Sequence, residues 1–305
     1  MILNYETAPL TEACAKQIAD ICPQSYIVIV DNLSRDESFS YLSSCFSCFE
    51  KVFVIESEKN GGYSYGNNCG VKFLLSKTSV EFIGIVNPDV CFPDSRIFES
   101  LVSKLIAQKH LAAITGLMIS GNSIVPRLIS WKLPKGIDDF FTNSAILRRL
   151  YDPLLVKKYE VLDENTLYVD TVPGSFFIIR SSVLQKVGFF DENLFLYYEE
   201  NSLFSLTRKL GYKVGLSTCT SFFHKHDYST MELKKEWCHF AYFCKSQKHY
   251  TVTYLENGKL LYPLLLVTAL MHMVIEIPLK YILRKLMKCL RKRMGCYDTR
   301  RQRKE

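Results

Sequence analysis

The strongest candidates for chemistry in this chain are two adjacent glutamates, Glu199 and Glu200, in the aromatic stretch FDENLFLYYEENSL. Two opposite influences act on carboxylates in this stretch. A helix N-terminus favours the ionised form, and aromatic surroundings oppose ionisation. Neighbouring side chains diverge, so one glutamate can face a cleft while the other faces the core or the helix end. The pair can supply a general base, and an acidic first helical turn is the alternative.

A second group of residues fits a divalent cation. Asp89 follows a strongly apolar strand in IGIVNPDVCFPD, and His224 ends a short apolar run in SFFHKHD. Hard cations such as Mg²⁺ or Mn²⁺ are commonly held by one or two protein carboxylates together with substrate phosphates. Asp89 suits that role, and His224 can complete the coordination. The alternatives are a turn with Pro88 before Asp89, and a surface position for His224.

Further polar residues can contact a nucleotide. Asp31 ends the apolar run in IVIVDNLSRDES, where it can accept a hydrogen bond from a pyrimidine N3–H or cap the next helix. Tyr5 can stack on the same base or be a core ring with its hydroxyl at the surface. Glycines in NGGYSYGNNCG, residues 60–70, allow close backbone approach to a ligand, and Asn68 is expected to open the next helix. This stretch does not match the dinucleotide fingerprint GxGxxG.

The elements that must position these residues alternate between strand and helix. Short apolar runs predict buried strands, with helices between them, and residues 1–4 are expected to form the stub of a first strand. The strands are expected at 26–30, 51–55 and 82–86, and the helices near 10–21, 36–48 and 68–75. Polar residues follow the strands, at the carboxyl edge where open parallel sheets bind ligands. They are Asn4, Asp31, Lys59, Asn60, Asn87 and Asp89.

The pattern of apolar residues is weaker after residue 120. Prolines and Gly136 interrupt residues 120–168, which are expected to form a loop-rich insertion that can cover the site. A strand is expected at 169–179, interrupted by Pro173 and Gly174, and a helix at 201–210.

The net charge of +7 is concentrated at the C-terminus, where residues 280–305 hold eleven Lys or Arg against Asp298 and Glu305. That tail contributes +9, so residues 1–279 sum to −2. A near-neutral body with a basic tail fits an anionic membrane surface and argues against nucleic acid. The eleven scattered cysteines favour free thiols in a reducing compartment, and Met1 is not followed by the charged segment of a signal peptide.

Residues 260–279 are apolar, but two prolines and two ionisable residues interrupt them: Pro263, Pro278, His272 and Glu276. A membrane span needs about 20 mostly apolar residues. The following stretch, YILRKLMKCLRKRMG, alternates apolar and basic residues at helical spacing, which is typical of a helix in the membrane interface. We expect peripheral attachment. A span or hairpin, and a helical cap packed on the catalytic domain, are the alternatives.

Seven motifs occur in an order that resembles the bacterial family 2 glycosyltransferases, especially their rhamnosyltransferase-like branch. They are ILNYETAPL, VDNLSRD, NGGYSYGNNCG, IVNPDV, VPGSFFIIRSSVLQKVGFFDENLFLYYEENSL, KLGYKV and FFHKHDYS. The resemblance extends from Met1 to about Ser229. It implies an α/β GT-A fold, a Rossmann-like mixed, mostly parallel sheet flanked by helices, over residues 1–235. Residues 236–305 are expected to form a helical, basic, membrane-associating segment.

The resemblance also implies roles for individual residues. The nucleotide sugar would be held by Tyr5, Asp31, Asn60, Gly62, Asn68 and Asn87. Asp89 would bind Mg²⁺ or Mn²⁺, and His224 matches the family's late histidine. The acceptor side would be formed by Gly174 and Ser175. Glu200, beside Glu199, would be the general base, at a position where the family usually has aspartate. Ser202 replaces the family's second acidic residue.

The implied activity is inverting transfer of a sugar from a UDP- or dTDP-sugar to a glycan or lipid-linked acceptor during surface polysaccharide synthesis. Such an enzyme would work at the cytoplasmic face of the bacterial inner membrane, attached peripherally through its basic C-terminal segment. A catalytically silent sugar-nucleotide-binding or scaffold protein of the same fold is the alternative, because Glu200 and Ser202 depart from the family pattern. No nucleic acid partner is expected, and no oligomeric state is predicted.

Overall fold

The computed structural model describes residues 1–121, 123–124, 129–151, 160–225 and 233–287. The chain divides into two compact units. Unit 1 comprises residues 1–134 and 157–227, and unit 2 comprises residues 135–156 and 228–305.

Unit 1 is built on one sheet, to which eleven strands contribute among the described residues. They are β1 (Ile2–Asn4), β2 (Ile27–Asp31), β3 (Val52–Glu56), β4 (Phe82–Val86), β5 (Val90–Cys91), β6 (Leu111–Ser120), β7 (Ser123–Ile124), β8 (Glu160–Asp163), β9 (Thr166–Val169), β10 (Phe176–Arg180) and β11 (Lys213–His224). Their order is β3-β2-β1-β4-β10-β6-β11-β9-β8, with β5 beside β11 and β7 beside β6.

Helices flank this sheet and form the described part of unit 2. Those of unit 1 are α1 (Ala8–Ile21), α2 (Ser38–Cys45), α3 (Gly62–Lys77), α4 (Ile97–Ala107), α7 (Ser181–Lys186) and α8 (Glu199–Lys209). Those of unit 2 are α5 (Ile137–Thr142), α6 (Ala145–Tyr151), α9 (Leu233–Tyr254) and α10 (Gly258–Met271), followed by a π-helix at His272–Glu276.

Strands β3, β2, β1 and β4 run parallel, which brings their carboxyl ends to one edge. In the register, Asn4 lies beside Asp31, and Asp31 lies beside Glu56. Every residue of β2 is buried, as expected for a parallel strand that is covered on both faces. Polar residues that follow these strands are therefore neighbours in space although they are far apart in sequence.

The remaining strands make the sheet mixed. β10 inserts antiparallel between β4 and β6, with Phe176 opposite Val86, and β6 runs parallel to β11. The short strand β5 pairs antiparallel with the end of β11, which places Val90 opposite His224. The chain after β4 is thereby held against the end of β11.

The sheet buries apolar side chains on both faces. Phe176 packs with Phe92 and Phe222 on one face, and its neighbour Phe177 packs with Phe204 on the other. Successive strand residues point to opposite faces, so β10 contributes one phenylalanine to each core.

Three expectations need correction in detail. The helix expected at 68–75 begins at Gly62, so most of the glycine-rich stretch is helical. Residues 120–168 are not only loop, because they contain α5, α6, β8 and β9, and β9 pairs with β11. The strand expected at 169–179 is two strands, since β9 ends at Val169 and β10 begins at Phe176.

In the part of unit 2 that the structure describes, one helix, Gly258–Met287, is long and apolar enough to cross a membrane by length and composition. It comprises α10, the π-helix and the turns that follow, and we call it the C-terminal helix. Its most apolar 18-residue window has a mean hydropathy of 2.0, and 28% of that window is buried.

Candidate active site

Asp89 and His224 lie side by side. The Asn87 carbonyl accepts the Val90 N–H at 3.2 Å, which closes a turn with Pro88 and Asp89 in its middle. The pairing of β5 with β11 then brings Asp89 Oδ1 within 3.2 Å of His224 Nε2, and each side chain is 16% exposed. Asp89 is therefore both in a turn and next to His224, and the turn positions the Asp89 carboxylate.

The donor set of Asp89 and His224 fits a divalent cation that shares its coordination with a ligand. Among the described residues, no group of three or more His, Cys, Asp or Glu side chains could hold a metal ion. Two protein donors leave most of the coordination sphere to other oxygens. That is the arrangement in which substrate phosphates complete a Mg²⁺ or Mn²⁺ site.

The Asp31 carboxylate is fully buried and hydrogen-bonded at both oxygens. Oδ1 accepts the Ser34 N–H at 2.7 Å, and Oδ2 accepts the Ser34 hydroxyl at 2.8 Å and the Asn4 amide at 2.7 Å. The Ser34 hydroxyl also accepts the Glu6 N–H at 2.9 Å, which ties together the loops after β1 and β2. Because α2 begins only at Ser38, Asp31 closes a turn on Ser34 instead of capping that helix.

Other nucleotide candidates surround the same edge. Tyr5 is half-buried directly after β1. Asn32, which is buried, donates to Asn60 Oδ1 at 3.0 Å and to the Gly62 carbonyl at 3.2 Å. Gly62 has φ of 82°, and a Cβ there would collide with the Phe195 carbonyl. Only glycine fits at this position, where the chain enters α3.

Asn68 does not open a helix along a ligand, as the sequence suggested, because it lies inside α3 and its amide is used at both ends. Nδ2 donates to the Phe190 carbonyl at 2.9 Å and to Glu192 Oε1 at 2.8 Å, and Oδ1 accepts the Phe190 N–H at 3.0 Å. Asn68 therefore anchors the segment after α7 to α3.

The Glu200 carboxylate is hydrogen-bonded to Gly174, which lies two residues before β10. Its Oε1 accepts the Gly174 N–H at 2.8 Å, and the Gly174 carbonyl accepts the Tyr63 hydroxyl at 2.6 Å. A Cβ on Gly174 would collide with the Glu200 carboxylate and lie 3.0 Å from the Tyr63 hydroxyl. The backbone of Gly174 is thus hydrogen-bonded to one residue of α3 and to one residue of α8.

No sequence pattern distinguishes Tyr63 from the other tyrosines, of which the chain has 18 in all. Ser175 is the second residue expected at the acceptor side. It is buried, and its hydroxyl contacts the Met118 sulfur at 3.5 Å.

The metal candidates and the carboxylates lie at one edge of the sheet. Asn87, two residues before Asp89, donates its N–H to the Ser175 carbonyl at 2.8 Å. Ser175 follows Gly174, which binds Glu200. A short chain of backbone contacts therefore connects the candidate cation site to the candidate base.

Glu199 is 3% exposed, and its Oε1 makes no hydrogen bond with any described residue. The two residues before it, Tyr197 and Tyr198, have φ of 73° and 67°. Bulky residues rarely adopt this left-handed conformation, which costs about 1–3 kcal/mol each and is found most often at functional sites. The aromatic turn that presents the glutamate pair is therefore strained.

The two carboxyl groups differ in their surroundings. Burial raises the pKa of Glu200, and the hydrogen bonds from Gly174 and from its own backbone partly offset this increase. Burial raises the pKa of Glu199 well above its usual range, and the Glu200 charge raises it further. The pKa of Glu199 is therefore raised more than that of Glu200, so Glu200 gives up its proton at the lower pH of the two.

The start of α8 has two further contacts. The Ser202 hydroxyl donates to the Glu199 carbonyl at 2.9 Å, so it completes the first helical turn. The Trp131 indole donates to Asn201 Oδ1 at 2.6 Å, which brings part of the expected insertion against this end of the helix.

A cavity of about 370 Å³ lies away from the candidate site residues, beside Ile27, Phe82 and Gly84. It opens at the amino-terminal edge of the parallel strands, where β1 has three residues between neighbours of five. The space is left there because β1 is shorter than its neighbours.

Comparison with known proteins defines the class to which this fold and site belong. The model of the family "Glycosyl transferase family 2" matches residues 2–188. The chain therefore belongs to glycosyltransferase family 2.

One curated relative is the low-salt glycan biosynthesis hexosyltransferase Agl10 of Haloferax volcanii, which is 27% identical over 215 residues. The alignment covers 70% of this chain and 62% of the relative, so the chain spans less than two thirds of the relative's length.

Two solved structures are similar in fold. GalNAc-T7 with UDP, GalNAc and Mn²⁺ aligns with a TM-score of 0.57 and 13% identity, over 85% of this chain and 52% of that one. The mannosyltransferase PcManGT from Pyrobaculum calidifontis, with GDP-Man and Mn²⁺, aligns with a TM-score of 0.51 and 14% identity, over 94% and 78%. These likenesses confirm the expected GT-A fold, a mixed α/β sheet flanked by helices.

Proposed function

We propose that this protein is an inverting glycosyltransferase that moves a sugar from a UDP- or dTDP-sugar to a hydroxyl of a glycan or lipid-linked acceptor. The observation that carries the proposal is the Glu200 carboxylate, fixed by the Gly174 N–H at the edge that also holds the Asp89–His224 pair. Membership of glycosyltransferase family 2 supports it, as does the similarity in fold to proteins solved with nucleotide sugars or UDP.

On the donor side, Asp89 and His224 would hold Mg²⁺ or Mn²⁺. A bound cation of this kind neutralises the negative charge that grows on a departing diphosphate. The nucleotide would lie along the carboxyl edge, against Tyr5, Asp31, Asn60, Gly62 and Asn87. Because Ser34 and Asn4 cover the Asp31 carboxylate, a base would have to displace one of these contacts to reach it.

On the acceptor side, Glu200 takes the proton of the acceptor hydroxyl while the oxygen of that hydroxyl bonds to the anomeric carbon. The bond from that carbon to the diphosphate breaks on the opposite face, and its electron pair leaves with the diphosphate. One displacement inverts the centre. Because the pKa of Glu199 is raised more than that of Glu200, the first negative charge to form on the glutamate pair would lie on the base.

We further propose a peripheral location at the cytoplasmic face of a bacterial inner membrane, with a role in surface polysaccharide synthesis. The order of motifs supports the rhamnosyltransferase-like branch, and the name of the archaeal relative supports glycan biosynthesis in general. Residues 1–235 are proposed as the catalytic domain, and residues 236–305 as the membrane-associating segment.

A donor panel tests the activity. The purified chain would be incubated with UDP-, dTDP- and GDP-sugars and Mn²⁺, and release of nucleoside diphosphate would be measured. We expect turnover of one UDP- or dTDP-sugar, its loss in Glu200→Gln, and its retention in Glu50→Gln, which changes an exposed glutamate away from the site. Tight nucleotide binding without turnover of any donor, in the presence of a lipid acceptor, would instead identify a silent binding protein.

A further inference from the structure

The C-terminal helix exposes an apolar stripe along its length. Five members recur every three or four residues up to Val274 in the π-helix, which places them on one helical face, and one more follows the π-helix. They are Leu260, Leu264, Val267, Leu270, Val274 and Ile282. Exposure reaches 79% at Leu260 and 68% at Val274. An exposed apolar surface of this length marks an interaction site.

The π-helix keeps the stripe on one face. The Ile277 N–H bonds to the His272 carbonyl, five residues back, so this turn contains one extra residue. In a straight α-helix Ile282 would lie about 80° around the axis from Val274. The wide turn removes most of that offset, because one inserted residue shifts the phase of everything after it.

The ionisable residues in the middle of the C-terminal helix are turned inward. Glu276 is 7% exposed and accepts the Ser144 hydroxyl at 2.5 Å. His272 Nδ1 lies 2.7 Å from the other oxygen of Glu276. The two ionisable residues that interrupt the apolar sequence are thus paired within unit 2 and do not break the stripe.

Helix α9 packs along the same helix and carries charges that water must solvate. The Trp237 indole donates to the Met273 carbonyl at 3.1 Å, and Glu236 pairs with Lys280 at 2.9 Å and Arg284 at 3.0 Å. Four lysines of α9 are exposed: Lys234, Lys235, Lys245 and Lys248. If the C-terminal helix crossed a bilayer, α9 would either enter the bilayer with it or detach from it. Entry of α9 would place its lysines in hydrocarbon, and detachment would break the ion pairs of Glu236 with Lys280 and Arg284.

Basic residues accompany the stripe. Lys280 and Lys285 are exposed on the C-terminal helix, and residues 288–305 contain eight further Lys or Arg against Asp298 and Glu305. Positive charge next to an exposed apolar face is the pattern of helices that bind anionic lipid and lie in the interface.

We propose that this stripe is a lipid-binding surface, and that the C-terminal helix lies parallel to the plane of an anionic bilayer without crossing it. The inference rests on the peripheral location proposed above and adds its surface and orientation. It is independent of the sugar-transfer chemistry, since every contact that supports it is within unit 2.

Co-sedimentation of the full chain with phosphatidylcholine vesicles, with and without phosphatidylglycerol, tests the proposal without any donor present. We expect binding that needs phosphatidylglycerol, and a loss of at least about tenfold in partitioning for Val267→Glu and Val274→Glu. Val161→Glu is the matched control, because Val161 is 66% exposed on a strand of unit 1 and Val267 is 63% exposed. Val267→Leu should bind like the wild type, and circular dichroism would check that each variant is folded.

Alkaline carbonate decides the orientation, since it should release an in-plane helix and leave a spanning one in the vesicles. Retention after carbonate, or normal binding by both glutamate variants, would overturn the proposal. It would also be overturned if the chain dimerised without vesicles and the glutamate variants were monomeric, because the stripe would then bind a second copy. Nucleoside diphosphate release in the absence of vesicles should be unchanged in both variants, so a failure of the transferase would be recognised separately.

Discussion

The backbone N–H of Gly174 donates a 2.8 Å hydrogen bond to Oε1 of Glu200. These residues are 26 positions apart, and the bond fixes the carboxylate that we propose as the general base. The Glu200 side chain reaches this N–H from the first turn of α8.

Replacement of Gly174 by alanine should disable the base. A Cβ would collide with the Glu200 carboxylate, and displacement of a catalytic group by about 1 Å costs on the order of 100-fold in rate. We expect kcat for nucleoside diphosphate release to fall by about that factor, with donor KM little changed. Gly84→Ala is the control, since nothing lies within 4 Å of a Cβ built there. Equal kcat values for the two variants would exclude this role for Gly174.

Tyr63 should act as a positioning residue for the same glycine. Tyr63→Phe removes the 2.6 Å hydrogen bond to the Gly174 carbonyl but keeps the ring that packs edge-on against Phe190. We expect a lower kcat, a shifted acidic limb of the pH–rate profile and a stability loss of about 1 kcal/mol.

Tyr26→Phe removes the hydroxyl of an exposed tyrosine and serves as the control for Tyr63. A purely structural Tyr63 would lower stability while the pH profile stayed in place. That result would contradict the prediction.

Glu199 should make folding stability depend on pH. Its pKa is raised by burial, so above about pH 4.3 the unfolded chain loses this proton while the folded chain retains it. Stability therefore falls as pH rises through this window, until the folded pKa is reached. Glu199→Gln removes this pH dependence. The melting temperature of the variant minus that of the wild type should therefore increase between pH 5 and pH 8. A difference that is constant with pH, as expected for Glu50→Gln, would show that the Glu199 pKa is ordinary.

Asp89 should couple nucleotide binding to the cation. Calorimetric titration with UDP or dTDP should show tighter binding by the wild type in the presence of Mn²⁺. Asp89→Ala removes the carboxylate that lies 3.2 Å from His224, so Mn²⁺ should no longer change its affinity. Asp20→Ala, at an exposed position of α1, should keep the metal response. The same response in Asp89→Ala would remove Asp89 from the site.

Local patterns predicted much of the parallel half of the sheet. The apolar runs that became β2 and β4 are short and bounded by polar residues, so the sequence pattern places Asp31 at the end of β2 and Asp89 in the turn after β4. The start of α3 was missed for the opposite reason. Glycine has weak helix propensity, and Gly62 begins a helix because a turn against the distant Phe195 carbonyl requires it.

By itself, the sequence determined the alternation of strands and helices up to β4, the family motifs and the acidic pair in its aromatic turn, since each depends on residues close together along the chain. Only the tertiary structure decided which of these residues meet. Tyr63 reaches Gly174 across 111 positions, and His224 reaches Asp89 only because β5 pairs with β11. Such partners are chosen by the packing of the whole sheet, and no local pattern of residue types contains that information.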